Sequence, residues 1–289
     1  MLWQCFLSIA EVVLRIEADR QLDESGAFLP FLIPETAADY SIVFRQTEKL
    51  PAMPDKVISN DSFSRVYEDE NGKTVRFFFE MPEAQTPYAA ARREDGNTIC
   101  VEYLKQNAHC VSGLHNGFFH IGFESMMIHS ERLCLHAACV ETPLGGLLFS
   151  GRSGIGKSTQ AELWCRYRGA RQINGDRPIL SKSGAGWLAW GSPYAGSSHC
   201  YVNDHCPVTA IVMLRQASSC SLRRLSVPEA FRAVWSGLTV QLWDKAFAET
   251  ASSLAMELMG TVPVFEFACT PDEQAVDYLE QELRRECCL

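Results

Sequence analysis

The stretch that decides the fold is Gly146-Leu-Leu-Phe-Ser-Gly151-Arg152-Ser153-Gly154-Ile155-Gly156-Lys157-Ser158-Thr159. Its second half satisfies G-x-x-x-x-G-K-[ST], and each position has a physical reason. Glycines let backbone N–H groups turn inward and approach phosphate oxygens without a Cβ in the way. Lys157 brings a cation to the β- and γ-phosphates, and the Ser158 hydroxyl is a ligand for Mg²⁺. A helix that begins at the loop aims its positive end at the same anion. The pattern also sits in the setting it needs, since the apolar run Gly-Leu-Leu-Phe-Ser reads as a strand and Lys-Ser-Thr-Gln-Ala-Glu-Leu-Trp as a helix. Residues 151–159 are therefore expected to hold the phosphates of Mg-ATP.

Working outward, the helix should run to about Arg168 and close at Gly169. Upstream, Leu133–Glu141 (LCLHAACVE) reads as one apolar strand, joined to the next by the turn in TPLGG. Downstream, RQINGDRPIL (171–180) reads as strand, break, strand. SGAG makes a hairpin into WLAWGSP, and VTAIVMLRQ (208–216) is a buried strand. Ser226-Val-Pro-Glu229 is a capping box opening a helix to about Gly237. Further helices fit 244–259 and 271–286, with the strand VPVFEFAC between them. Too few strands and helices alternate strictly for a simple doubly wound sheet, so the expected class is mixed α/β (α+β).

Residues 1–115 read as strands and hairpins, with turns at Asp69–Gly72 and at Asp95-Gly96-Asn97. A helix is expected over roughly 116–129, with Phe119, Phe123, Met126 and Met127 as its core stripe. The expected organisation is a β-rich module over 1–115 and a nucleotide-binding core over 116–289. The amino-terminal module either recognises the acceptor or covers an exposed sheet.

The phosphate loop does not say what the nucleotide is for. The base-reading N-K-x-D of GTPases is absent, and the apolar strand 208–216 ends in Arg215-Gln216 rather than in a carboxylate. The first carboxylate placed to work beside the loop is Asp176, in Asn174-Gly175-Asp176. There it could hold Mg²⁺ or accept a proton from a hydroxyl nucleophile.

Composition narrows the partners. The 289 residues carry 26 basic and 35 acidic side chains, a formal charge of −9 spread along the chain. That balance argues against broad nucleic-acid or anionic-membrane binding. No uninterrupted apolar run reaches the ~18 residues needed to span a bilayer. The first twenty residues lack a basic start and are broken by Glu11 and Arg15, so they read as core strand rather than signal peptide, and a cytoplasmic protein is expected. The twelve cysteines show no CxxC pair, and in a reducing compartment they behave as small buried hydrophobes. His199-Cys200 with His205-Cys206 is the one grouping that suggests a metal, although adjacent pairs are not the usual finger spacing.

The residues His136-Ala-Ala-Cys-Val140, GRSGIGKST and INGDR, in that order and spacing, resemble the catalytic domain of HPr kinase/phosphorylase. The fold relatives of that family include the phosphoenolpyruvate carboxykinases. The run from His136 through GSPYAGSS (191–198), VTAIVMLRQA, LRRLS and VPVFEFACTPDE resembles stand-alone HPr-kinase-like proteins, over roughly residues 115–280. The resemblance implies a mixed-sheet, carboxykinase-like core and an ATP- and Mg²⁺-dependent kinase acting on a hydroxyl, with serine of a small protein or peptide as acceptor. It places His136 near the transferred phosphate, Lys157 and the 151–159 loop on the nucleotide, and Ser158 with Asp176 on the metal. Asp176-Arg177 matches the second Asp and the Arg of an Asp-Asp-Arg element, and Gly175 stands at the first Asp. That departure leaves two alternatives, a regulatory protein that binds nucleotide without transfer and a small-molecule kinase. A homo-oligomer is compatible with all three.

Overall fold

The computed structural model describes residues 2–94 and 96–288. The chain divides into two compact units, residues 1–126 and 127–289. That division falls inside the helical segment expected over 116–129. Each unit is built on a large mixed sheet, so the protein is α/β in class.

The first unit contains strands β1 (Trp3–Ile9), β2 (Val12–Ala18), β3 (Leu32–Ile33), β4 (Tyr40–Thr47), β5 (Lys56–Asn60), β6 (Ser64–Glu68), β7 (Thr74–Phe78), β8 (Ala89–Arg93) and β9 (Thr98–Leu104). They form one sheet in the order β3-β1-β2-β4-β9-β8-β7-β6-β5. The amino-terminal apolar run folds as the β1–β2 hairpin, turning at Ala10 and Glu11, both at positive φ. Alternate residues Val12, Leu14, Ile16 and Ala18 are buried, the period-2 pattern of a strand with one face on a core. The Asp69–Gly72 turn joins β6 to β7, with the Asp69 carboxylate accepting from Asn71 N and Lys73 N. Of the second turn, Asp95 lies outside the described residues, while Gly96 and Asn97 form a turn leading into β9.

Helices α1 (Ser25–Phe28) and α2 (Leu114–His120) belong to this unit, and its boundary falls within α3 (Phe123–His129). The continuous helix expected over 116–129 is thus two short helices, broken at Ile121-Gly122, where Gly122 takes φ +64°. The break changes the phase of the apolar stripe. Phe123, Met126 and Met127 are buried as expected, but Phe119 is 47% exposed.

The second unit contains β10 (Arg132–Cys134), β11 (Ala137–Thr142), β12 (Gly145–Ser150), β13 (Arg171–Asn174), β14 (Ile179–Ser183), β15 (Gly186–Trp190), β16 (His205–Gln216), β17 (Ser221–Arg224) and β18 (Val264–Cys269). Its helices are α4 (Lys157–Arg168), α5 (Val227–Gly237), α6 (Lys245–Thr261) and α7 (Glu273–Glu286). The main sheet runs β13-β11-β12-β16-β18-β17, with β12, β16 and β18 parallel. The amino-terminal part of β16 instead pairs with β15, which continues through β14 to β10.

Period-2 alternation lets the main sheet bury both faces. Ala138, Val140, Leu147, Phe149 and Val212 pack on one side with Trp164 of α4 and Leu279 of α7. Ala137, Cys139, Leu148 and Ile211 face the other side, with Val234 of α5 and Leu254 of α6. Helix α5 opens on the expected capping box: the Ser226 N–H and hydroxyl both donate to the Glu229 carboxylate.

One expectation needs correction here. LCLHAACVE is not one strand but two, β10 and β11, interrupted at Leu135-His136. Strand β10 pairs with β14, whereas β11 pairs with β12 and β13. The chain changes partners at His136 and leaves that residue outside both ladders.

Among the described residues, no helix is long and apolar enough to cross a membrane.

Candidate phosphate-binding site

Strand register brings three separate segments to one edge of the main sheet. Strand β12 ends at Ser150, and its antiparallel neighbour β11 begins opposite it, with Ala137 paired to Ser150. Strand β13, antiparallel to β11, ends at Asn174 opposite Cys139. The glycine-rich loop after β12, His136 before β11 and Asp176 after β13 therefore emerge on the same side. Further backbone bonds tie them together: Ala137 N donates to Asp176 O at 2.9 Å. The Ser150 hydroxyl donates to His136 O at 2.8 Å.

The loop has the backbone that its glycines allow. Gly151, Gly154 and Gly156 take φ of +139°, +75° and +113°, a region costly for residues with a Cβ. At Gly154 and Gly156 an added Cβ would meet nothing within 4 Å, so conformation rather than crowding requires glycine there. Gly156 is the N-cap of α4, and no side chain caps that helix start. The first turn, Lys157, Ser158 and Thr159, is thus open to an anionic ligand in the manner of helix N-termini. Lys157 is buried, and its Nζ donates to the loop's own carbonyls, Gly151 O at 3.2 Å and Arg152 O at 3.5 Å. Burial lowers the Lys157 pKa from its ordinary value, and the Asp176 carboxylate works against that shift. Ile155 packs inward against the core, and its carbonyl accepts from Gln216 Nε2 at the end of β16. Arg152, Ser153 and Gly154 form the exposed rim of the loop.

Asp176 holds two cationic or polar neighbours. Its Oδ1 lies 3.2 Å from His136 Nε2, and its Oδ2 lies 3.6 Å from Arg177 Nε. Burial lowers the His136 pKa, as do the charges of Lys157 and Arg177, while Asp176 opposes them. The balance lies below the ordinary histidine value, so these surroundings favour the neutral ring. A neutral ring that donates from Nε2 to Asp176 would present a lone pair at Nδ1.

Residues that the sequence reading did not single out fix the Asp176 turn. Asn174 is fully buried, and its Oδ1 accepts from Asp176 N at 2.9 Å and from Arg177 N at 2.7 Å. Its Nδ2 donates to Ser192 O and Oγ. The Ser192 hydroxyl, also fully buried, donates to Arg177 O at 2.7 Å. The small-residue run Gly191–Ser198 thus wraps the turn. Gly175 is locked beneath it: a Cβ there would lie 2.0 Å from Ser198 Oγ and 2.7 Å from Ala195 O. The position matching the first carboxylate of the Asp-Asp-Arg element accepts no side chain in this packing.

The other candidates separate. Cys206 is buried with its Sγ 3.9 Å from that of Cys139, and the His205 ring lies against Trp190. His199 meets Tyr201, and Cys200 Sγ donates to Gln172 O. These four residues do not converge as metal ligands. Arg223 is paired with Glu229 and Glu266 on the β17–β18 edge.

No family model matches the chain, and no curated protein is similar to it. Among solved structures, the chain is similar to the HPr(Ser) kinase/phosphatase from Coxiella burnetii at 14% identity. That match covers 53% of this chain and 97% of the other, with a TM-score of 0.32. The likeness is loose, and the roles of the site residues rest on their own geometry.

Proposed function

We propose that the second unit binds Mg-ATP on Gly151–Thr159 and transfers its γ-phosphate to a hydroxyl of a small protein or peptide. The observation that carries this reading is the convergence of the positive-φ glycine loop, Lys157 and the His136–Asp176 pair at one sheet edge. The loop amides and the start of α4 would hold the phosphates. Lys157 would exchange its bonds to Gly151 O and Arg152 O for phosphate oxygens.

A hydroxyl and a single carboxylate, Ser158 and Asp176, suit a hard divalent cation that keeps several of its waters. Mg²⁺ held there would neutralise charge on the β- and γ-phosphates. The chain's own residues account for the rest. His136 is neutral and held in one tautomer by Asp176, so its Nδ1 is free to accept the proton of the attacking hydroxyl. The acceptor oxygen bonds to the γ-phosphorus, the bond to the β–γ bridging oxygen breaks, and ADP leaves with that electron pair. Arg177, anchored through Thr239 Oγ1 at 2.9 Å, supports the carboxylate and adds positive charge. Phosphoryl transfer depends chiefly on positioning and charge, so the absence of a second carboxylate need not abolish it.

Gly175 favours a second reading, in which nucleotide occupancy alters an interface without transfer, because the two-carboxylate arrangement has no room to form. The discriminating experiment follows label from γ-labelled ATP into candidate peptides and proteins, with wild type beside Lys157→Ala and His136→Ala. Label that disappears in both variants supports the kinase. Clear Mg-ATP binding with no labelled acceptor and no ADP formed would move the assignment to the binding protein.

A further inference from the structure

The first unit carries a constellation of its own. Among the described residues, Glu80, His109 and Cys110 place one donor atom each within 4.8 Å of the others. Cys110 Sγ lies 3.4 Å from His109 Nε2 and 3.7 Å from Glu80 Oε1, and those two atoms are 3.8 Å apart. A tetrahedral zinc ion with ordinary Zn–S, Zn–N and Zn–O bond lengths sets its ligands at about 3.6, 3.6 and 3.4 Å for the same three pairs. The triangle already has the size of one face of that tetrahedron.

Neighbouring side chains on a tight helical segment normally diverge. Here residues 105–111 form 3-10 turns interrupted at Asn107, whose φ of −104° and ψ of +19° leave the helical region. After that break His109 and Cys110 are turned toward Glu80. Asn107 Nδ2 donates to the same Glu80 Oε1 at 2.5 Å, which fixes the position of that oxygen. The donor set of thiol, imidazole and carboxylate suits zinc rather than Mg²⁺ or Ca²⁺, which take oxygen.

All three residues also line one cavity of about 360 Å³, whose other walls are Phe63, Phe79, Tyr88 and Phe119. The Phe119 ring, 47% exposed against the expectation for its helix, belongs to this wall. Buried His120 accepts a hydrogen bond at Nε2 from the Tyr88 hydroxyl at 3.0 Å, because its Nδ1 faces Asn116 O. That contact fixes the cavity's inner side.

We propose that Glu80, His109 and Cys110 form a three-ligand zinc site whose fourth position opens onto this aromatic cavity. The ligand class for that position is a water, or a carboxylate or imidazole donor borne on an apolar group seated among Phe63, Phe79 and Phe119. Zinc binding replaces the Cys110 thiol proton, which passes to solvent, and needs no other chemistry.

The test titrates the full chain with Co²⁺ and, separately, with Zn²⁺ by calorimetry. The expected result is one ion per chain, with a thiolate-to-cobalt charge-transfer band and the strong visible bands of tetrahedral Co²⁺. Cys110→Ser should abolish the charge-transfer band, and both Cys110→Ser and Glu80→Gln should weaken Zn²⁺ binding at least about tenfold. Unchanged near-ultraviolet circular dichroism in the two variants shows that the fold is kept. Absence of binding at one equivalent, weak octahedral bands, or equal affinity in Glu80→Gln and wild type would overturn the site.

Discussion

The Nε2 of His136 and the Oδ1 of Asp176 lie 3.2 Å apart, one residue at the break before β11 and the other just beyond the end of β13. Neither is held by its own strand ladder. Their meeting is a consequence of register, since β11 pairs on one side with β12 and on the other with β13.

This pair sits in the field of Lys157, and the signs can be separated. Lys157 lowers the His136 pKa and Asp176 raises it. Lys157→Ala should therefore raise the His136 pKa, and Asp176→Asn should lower it. Titration of the His136 ring by NMR reads both shifts directly. Movement in the same direction in the two variants would contradict the arrangement.

The rate should follow the same group. His136 accepts a proton only when neutral, and its pKa lies below the ordinary value. The kcat/KM for phosphoryl transfer is expected to be flat through neutral pH and to fall on the acid side, as pH drops through that lowered pKa. The acid limb should disappear in His136→Ala, whose residual rate is smaller. A wild-type limb centred above the ordinary histidine range would assign the proton elsewhere.

Gly175 should be intolerant of any side chain. A Cβ 2.0 Å from Ser198 Oγ and 2.5 Å from Ser198 Cβ forces the 191–198 segment to move. Gly175→Ala is expected to cost about 1–3 kcal/mol, the usual range for overpacking. Ser198→Gly should recover part of that loss, while the contact with Ala195 O remains. Urea unfolding of both single variants and the double variant measures the coupling. Additive effects would show that the two residues do not meet.

Asn174 should matter to both stability and turnover. Asn174→Ala leaves the N–H groups of Asp176 and Arg177 without their Oδ1 acceptor and Ser192 O without the Nδ2 donor. The expected destabilisation is about 1–3 kcal/mol. A fall in kcat should accompany it at temperatures where the variant is still folded. Full activity in a folded variant would show that the Asp176 turn holds itself.

Much of this was legible in the sequence for local reasons. The loop, its following helix and the Gly169 stop depend on neighbours a few residues apart, and their spacing carries the information. The Ser226–Glu229 cap and the Asp69–Gly72 hairpin were readable for the same reason. Asp176 was a candidate from its chemistry and position and His136 from the family resemblance, but their contact depends on two strand registers. Asn174 and Ser192 passed as ordinary turn residues, because their partners become neighbours only when the 191–198 segment folds back. The interruption at His136 was hidden in a continuous apolar run, where a strand that changes sheets looks like one that does not. Phe119 was misplaced because Gly122 resets the helical phase between α2 and α3.

The most direct measurement is calorimetric titration of Mg-ATP into the wild-type chain and into Lys157→Ala. Binding at one site per chain is predicted, weaker in the variant by about 1–3 kcal/mol, the range for a charge-assisted contact. Equal affinity in the two proteins, or no Mg-ATP binding by the wild type, would contradict the assignment of Gly151–Thr159 as a phosphate site.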